Sequence, residues 1–332
     1  MKSDVLLVVV VVIALGFDFT NGFHDTANAI ATSVGTRAMT PRLAVALAAA
    51  MNLAGAFLTT AVAKTVGKGL IDTHLATMQT VLAALIGAIV WNLLTWYFGL
   101  PSSSSHALIG GLVGAALVQS GAKGVLWHGV AHKVVIPALV APAIAFGSAF
   151  VFLLVLYWAF KWVTPGAGNR GFRLGQIASS AWVSFNHGAN DAQKTMGVIA
   201  LALVLHRNGN PEELSIPTWV IVAAGLAMGL GTYAGGWRII RTLGQRIYSM
   251  EPAQGFAAQT AAGATIYFAT KYGYPLSTTH VVSGSVMGAG ATKRVSAVRW
   301  GVAGNIVTAW VLTLPAAAAV AALWYWPIQG VF

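Results

Sequence analysis

Ten mostly apolar runs follow one another along this chain, separated by short polar or glycine-rich breaks. They lie near Val5–Phe19, Leu43–Ala63, Leu75–Phe98, Ala107–Gln119, Val134–Phe160, Ile177–Leu205, Ile216–Gly236, Phe256–Thr270, Val281–Ala291 and Val302–Trp326. A helix needs roughly 20 apolar residues to cross the hydrocarbon core of a bilayer. The longer runs reach that length alone, and several shorter ones adjoin polar words that would interrupt a span. The pattern predicts an all-α, polytopic helical membrane protein with about ten crossings, some of them built from discontinuous helices.

The polar words recur. Gly22-Phe23-His24-Asp25 has a counterpart in Gly188-Ala189-Asn190-Asp191. Gly99-Leu100-Pro101-Ser102-Ser103-Ser104-Ser105-His106 has one in Gly273-Tyr274-Pro275-Leu276-Ser277-Thr278-Thr279-His280. Each pair falls at the same place within its half. The chain therefore reads as a first repeat over 1–163, a linker over 164–173 and a second repeat over 174–332. Five crossings per half is an odd number, which turns the second half upside down in the membrane relative to the first. Repeats of that kind are typical of transporters, with a substrate site near mid-membrane where the halves meet.

Composition agrees with a membrane location. Charged residues are 8% of the chain, against about 25% in an ordinary soluble domain. The net charge of +11 is not a nucleic-acid signal, because no basic cluster alternates with exposed aromatics. The cations sit at the ends of apolar runs, as topology signals do. With the N-terminus outside, the inner loops hold eleven of them: Arg37, Arg42, Lys161, Arg170, Arg173, Arg238, Arg241, Arg246, Lys293, Arg294 and Arg299. The outer segments hold seven, Lys2, Lys64, Lys68, Lys123, Lys133, Arg207 and Lys271, beside Glu212 and Glu213. Both termini are therefore expected outside. Aromatic groups such as Trp96-Tyr97 and Trp324-Tyr325-Trp326 mark the interfaces. Lys2 followed by Val5–Leu15 has the outline of a signal peptide, but it leads into a motif with a partner in the other half and is read as part of the first span. Cysteine is absent, which removes thiol nucleophiles, thiolate metal sites and disulfides.

Asp25 and Asp191 stand out chemically. An ionised carboxylate near mid-bilayer costs at least about 2.5–3.5 kcal/mol, so each calls for a partner. Asn21, His24, Thr26 and Asn28 crowd around the first, and Asn186, His187, Asn190, Gln193 and Lys194 around the second. A helix interrupted at Gly22 and at Gly188 would free backbone carbonyls for a cation, and each Asp could cap the half-helix that follows. Asp25, Asp191, Asn21 and Asn190 are the candidate cation-binding residues, with sodium the metal that Asp25 and Asp191 would suit. The plainer reading is that each Asp caps a kink, or that Asp191 pairs with Lys194.

The Pro-x-Ser-Ser/Thr-Ser/Thr-His words suit an anion. Proline stops the incoming helix, and hydroxyl residues sit where the next one opens. A helix N-terminus offers unpaired N–H groups and about half a positive charge. Two such ends from opposite halves would converge on one tetrahedral anion. Candidate substrate-binding residues are Asn28, Ser104, Ser105, Gln193, Lys194, Thr278 and Thr279, with Ser103, His106, Ser277, His280 and His24 orienting them. For His106 and His280, backbone bonding in the first helical turn is the simpler alternative. Gly110, Gly111 and Gly114, with Gly284, Gly288 and Gly290, are expected to let helices pack closely beside the site.

Four stretches together resemble the Pit family of inorganic phosphate transporters. They are Asn21-Gly-Phe-His-Asp-Thr-Ala-Asn-Ala-Ile-Ala-Thr32, Gly99-Leu-Pro-Ser-Ser-Ser-Ser-His-Ala-Leu-Ile-Gly110, Phe185-Asn-His-Gly-Ala-Asn-Asp-Ala-Gln-Lys194 and Pro275-Leu-Ser-Thr-Thr-His-Val281. The resemblance covers essentially the whole chain and is closest to the bacterial low-affinity symporters. It implies an inner (plasma) membrane protein that cotransports phosphate, free or as a metal-phosphate complex, with a proton or sodium ion and no other cofactor. By position, the family's Asp motif falls on Asp25 with Asn28 and on Asp191 with Lys194, and its phosphate-coordinating turns on Ser104, Ser105, Thr278 and Thr279. Two departures weigh against sodium. The family's commoner Asn before the first Asp is His24 here, and Asn52 and Gln259 stand near places where some animal members carry acids. Expected partners are phosphate, the coupling cation, the lipid bilayer and a second copy of the chain in a homodimer; nucleic acid is not among them. The rival readings are a sulfate or other oxyanion permease and an intramembrane aspartyl protease. The protease needs paired aspartates sharing a proton, gives the hydroxyl turns no role and lacks its Gly-x-Gly-Asp word, so no enzyme activity is expected.

Overall fold

The computed structural model describes residues 2–207, 209–210 and 214–332, so Glu212 and Glu213 of the expected outer loop lie outside the described residues. The first half holds α1 (Lys2–Gly35), α2 (Pro41–Gly55), α3 (Ala61–Lys68), α4 (Met78–Phe98), α5 (Ser104–Ser120), α6 (Trp127–Val130) and α7 (Ile136–Ala159). The second holds α8 (Pro165–His206), α9 (Thr218–Ala234), α10 (Trp237–Arg241), α11 (Pro252–Lys271), α12 (Thr278–Lys293) and α13 (Trp300–Val331). Among the described residues the one strand-like pairing is a bridge between Ile71 and Val125. Local chemistry explains several starts: Thr77 with Thr80, and Glu251 with Gln254, form capping boxes for α4 and α11.

Two sequence expectations need correction. Residues 165–173, read as a linker, are the largely exposed opening turns of α8. Pro165 occupies the first helical turn, where its missing N–H costs nothing. The second correction concerns the predicted breaks at Gly22 and Gly188, because α1 and α8 run through both glycines. The glycines serve contact instead. A Cβ on Gly22 would stand 2.5 Å from the Met228 carbonyl of α9, and one on Gly188 would stand 2.1 Å from the Asn52 carbonyl of α2. No backbone carbonyl is freed there, and neither Asp25 nor Asp191 caps a half-helix. A sharp bend does occur between α9 and the segment Trp237–Arg246, at 61°.

The packing pattern repeats between the halves. α1 packs on α9 and α4, while α8 packs on α2 and α11; α5 lies on α13, and α12 on α7. Each half thus lends its last long helix to the other half's hydroxyl-capped helix. Glycine makes these contacts close, as the sequence suggested. Cβ atoms on Gly110 and Gly114 would come within 2.4 and 2.2 Å of carbonyls in α13, and on Gly284 and Gly288 within 2.5 and 2.1 Å of carbonyls in α7.

The outside of the molecule is apolar, with Leu139 and Trp158 each 72% exposed and Leu323 75% exposed. A soluble monomer does not present that much contiguous apolar surface. Among the described residues, five helices are long and apolar enough to cross a bilayer, or six if the bent pair counts as one span. The polarity is inverted from that of a soluble domain: Asp25, Asp191, Lys194, His24 and His187 are all buried. This is a membrane protein.

Candidate functional site

The site is built from two matching turns. Gly99 and Gly273 take left-handed φ values of +66° and +71°, a conformation that glycine alone adopts at no steric cost. They end the approach from α4 and α11, and Pro101 and Pro275 follow. Ser103 and Ser277 then accept the backbone N–H of His106 and His280 at 3.1 and 3.3 Å. Each is the N-cap of its helix, so α5 and α12 open at the hydroxyl residues the sequence singled out.

The two openings meet. Ser105 donates to the Leu276 carbonyl at 3.1 Å, and the Asn28 amide reaches Thr279 and Thr278 at 2.9 and 3.3 Å. The His106 and His280 rings touch edge to face at 4.7 Å, and His280 stacks on Trp310 at 4.0 Å. Their link to the hydroxyl turns is through backbone N–H groups, the simpler of the two readings.

The carboxylates face the same place. Asp25, on α1, lies 2.7 Å from the Ser104 hydroxyl and 2.7 Å from His24 Nδ1, with Thr279 at 3.4 Å. Asp191, on α8, takes the Lys194 ammonium at 2.5 Å. That ammonium also reaches the Leu276 carbonyl at 2.9 Å and the Ser105 hydroxyl. His187 Nε2 stands 3.4 Å from Asp191 and 4.0 Å from Asp25. Asp25, His187 and Asp191 therefore present ligand atoms within 4.8 Å of one another. A hard cation prefers the carboxylate oxygens to the imidazole, so the two aspartates fit sodium better than His187 does.

Three expected ligands are engaged elsewhere. Gln193 accepts the backbone N–H groups of Val62 and Ala63 at 2.8 and 3.2 Å, satisfying the open end of α3. Asn190 donates to Thr270 at 2.9 Å and to the Tyr274 carbonyl at 3.1 Å, bracing the turn into α12. The Asn21 side-chain oxygen stands 2.6 Å from the Ser104 hydroxyl, whose one proton it shares with Asp25 at 2.7 Å, so it helps to orient that hydroxyl. His24 Nε2 reaches Thr95 at 3.1 Å and Ser102 at 3.4 Å.

Sequence reasoning missed other members. His187, one of the polar residues around Asp191 in the sequence, stands beside both carboxylates. The signal was its position four residues before Asp191, on the same helical face. Asn52 holds the far side of that ring at 3.0 Å. Asp18 is also fully buried, seven residues before Asp25 and so on the same face of α1.

A profile described as the phosphate transporter family matches residues 21–321. The chain is 54% identical over 320 residues to the "Probable low-affinity inorganic phosphate transporter" of Mycobacterium tuberculosis, an alignment spanning 96% of this chain and 77% of that one. Proteins of the same name from Rhizobium meliloti and Bacillus subtilis are 49% and 45% identical, over 96% and 99% of this chain and 96% and 98% of their own length. A solved structure named "The sodium-dependent phosphate transporter" superposes with a TM-score of 0.91 at 26% identity, over 99% of this chain and 100% of that chain.

Proposed function

The chain belongs to the phosphate transporter family, and on that footing we propose that it is a secondary active symporter carrying inorganic phosphate with a proton or sodium ion. It is a transporter and not an enzyme, as its relatives are. Residues 1–163 and 174–332 are its two inverted repeats of five crossings each, with both termini outside the inner membrane. The halves expose one central site alternately to the two sides.

One observation carries this reading: the hydroxyl-capped starts of α5 and α12, one from each half, meet beside Asn28 and Lys194 and within hydrogen-bonding distance of Asp25. Two helix N-termini, four hydroxyls and an ammonium form a seat for a tetrahedral oxyanion. Phosphate would enter by replacing the bonds these groups now make with one another. Asp25 and Asp191 hold the coupling cation beside it and offset its charge. The P–OH of phosphate can donate to a carboxylate, whereas sulfate at neutral pH would leave that carboxylate facing a second acceptor. That difference favours phosphate over a sulfate permease.

The test is labelled phosphate uptake by purified protein in proteoliposomes, first under a sodium gradient and then under a pH gradient. Uptake under one of them supports symport, and uptake under neither removes it. Equal competition by sulfate would point to the oxyanion-permease reading. Unchanged accumulation in both Asp25→Asn and Asp191→Asn would make the carboxylates bystanders.

A further inference from the structure

The site described above leaves one buried carboxylate unused. Asp18 is 0% exposed in the interior of α1, and neither of its oxygens has a hydrogen-bond partner. Thr195, on α8, and Asn21 are the polar side chains close enough to act on it. Thr195 Oγ1 and Asn21 Nδ2 are buried and unpartnered as well. Two donors therefore stand beside a carboxyl group inside a membrane helix bundle, with no hydrogen bond closed among them.

Among the described residues no salt bridge reaches Asp18, and His187 of α8 faces Asp191 and Asp25 instead. Asp191 and Lys194 are the charged groups that reach it, and they are bonded to each other at 2.5 Å. The neighbouring α4 and α9 carry no Asp, Glu, Lys, Arg or His. Arg42 of α2, Arg238 and Arg241 of α10, Arg246 beyond it and Lys271 of α11 are exposed. His106 and His280, on α5 and α12, are packed against each other. On α1 itself His24 and Asp25 are paired.

We propose that Asp18 takes up and releases a proton in each transport cycle, which makes the proton a coupling ion of this protein. The inference rests on the symport reading above. A metal ion at this place would need several oxygen ligands. The helices here are unbroken, so their carbonyls are spent. Asn21 offers an NH2, which is a donor, and Thr195 a single hydroxyl. A proton needs one oxygen, and Asp18 supplies it. Neutral Asp18 suits the dry interior; ionised Asp18 needs the Thr195 and Asn21 donors to close on it. A shift of α8 against α1, on which it packs, would close or open the Thr195 bond, whereas Asn21 shares α1 with Asp18. Loading is thereby tied to the relative position of the two halves.

The experiment uses the full chain in proteoliposomes, with labelled phosphate and a pH-sensitive dye inside. For the parent protein, an inward pH gradient drives phosphate accumulation together with inward proton flux. For Asp18→Asn, phosphate exchange at equal concentration on both sides persists, while gradient-driven accumulation and proton flux fall to the level of protein-free vesicles. Asp18→Glu retains both. Full accumulation by Asp18→Asn overturns the proposal. So does loss of exchange together with accumulation, which would place Asp18 in the phosphate site or the scaffold. Should Asp18→Asn fail to insert, the parent decides: phosphate uptake without proton flux overturns the proposal and leaves the transporter reading intact. A parent that moves no phosphate under any gradient fails the transporter reading itself.

Discussion

Asn52 of the first half fixes the proton of His187 in the second. The Thr232 hydroxyl donates to the Met228 carbonyl at 2.8 Å, so the Asn52 amide must donate to Thr232, also at 2.8 Å. That leaves the Asn52 oxygen to accept from His187 Nδ1 at 3.0 Å. In the neutral ring Nε2 then carries a lone pair, turned toward the carboxylates of Asp191 and Asp25. Three acceptors facing one another favour a positive charge among them in addition to the Lys194 ammonium that Asp191 holds, which supports the proposed coupling cation at this place.

Removing the acceptor should release the ring. Asn52→Leu strands the buried His187 donor, at a cost of about 1–3 kcal/mol. A lower unfolding temperature in detergent and reduced phosphate uptake are the expected outcome. Uptake equal to the parent's would show that the ring needs no orientation.

The buried ion pair should behave as a unit. Lys194→Met leaves Asp191 unpaired where neither side chain meets solvent, and breaking such a pair costs about 3–5 kcal/mol. Lys194→Met with Asp191→Asn removes both charges, and thermal unfolding of the double variant should recover most of that loss. If the single variant melts with the parent, the pair contributes nothing to stability.

Two glycines of the same helix should respond oppositely to alanine. At Gly16 a Cβ meets nothing within 4 Å, so Gly16→Ala should stabilise α1 by up to about 1 kcal/mol through helix propensity. At Gly22 the same atom would stand 2.5 Å from the Met228 carbonyl and 2.8 Å from the Thr232 nitrogen. Both are backbone atoms that cannot swing aside, so Gly22→Ala should lower the yield of folded protein. Equal melting temperatures for the two variants would contradict the contact role.

Hydroxyl deletions at the helix starts should weaken phosphate more than they weaken the fold. Ser104→Ala removes a bond to the Asp25 carboxylate, and Thr279→Val removes one to Asn28. In the proposed function each hydroxyl donates instead to the bound phosphate; hydrogen bonds to charged groups contribute about 1.5–3 kcal/mol, so apparent phosphate affinity should fall by roughly tenfold or more. Ser103→Ala instead removes an N-cap, worth about 1 kcal/mol of helix stability. It should appear first in the melting curve, and the reverse ranking would reassign the hydroxyls.

Much of this molecule follows from local chemistry and was readable in the chain. Apolar runs forced helices, because a backbone in lipid must satisfy its own hydrogen bonds. The paired Pro-Ser words fixed where α5 and α12 begin, since a cap bonds to a backbone group three residues away. The packing glycines Gly110, Gly114, Gly284 and Gly288 were legible for a similar reason, being repeated on one helix face. Gly22 and Gly188 were not. Whether a glycine breaks a helix or admits a neighbour depends on what lies opposite, and Met228 and Asn52 are distant in sequence. The same holds for Gln193, spent on the start of α3, for His187, set beside two carboxylates, and for Asp18, hidden in an apolar run. Long-range packing assigns partners to polar groups, and no spacing along the chain reports which donor a buried acceptor will meet.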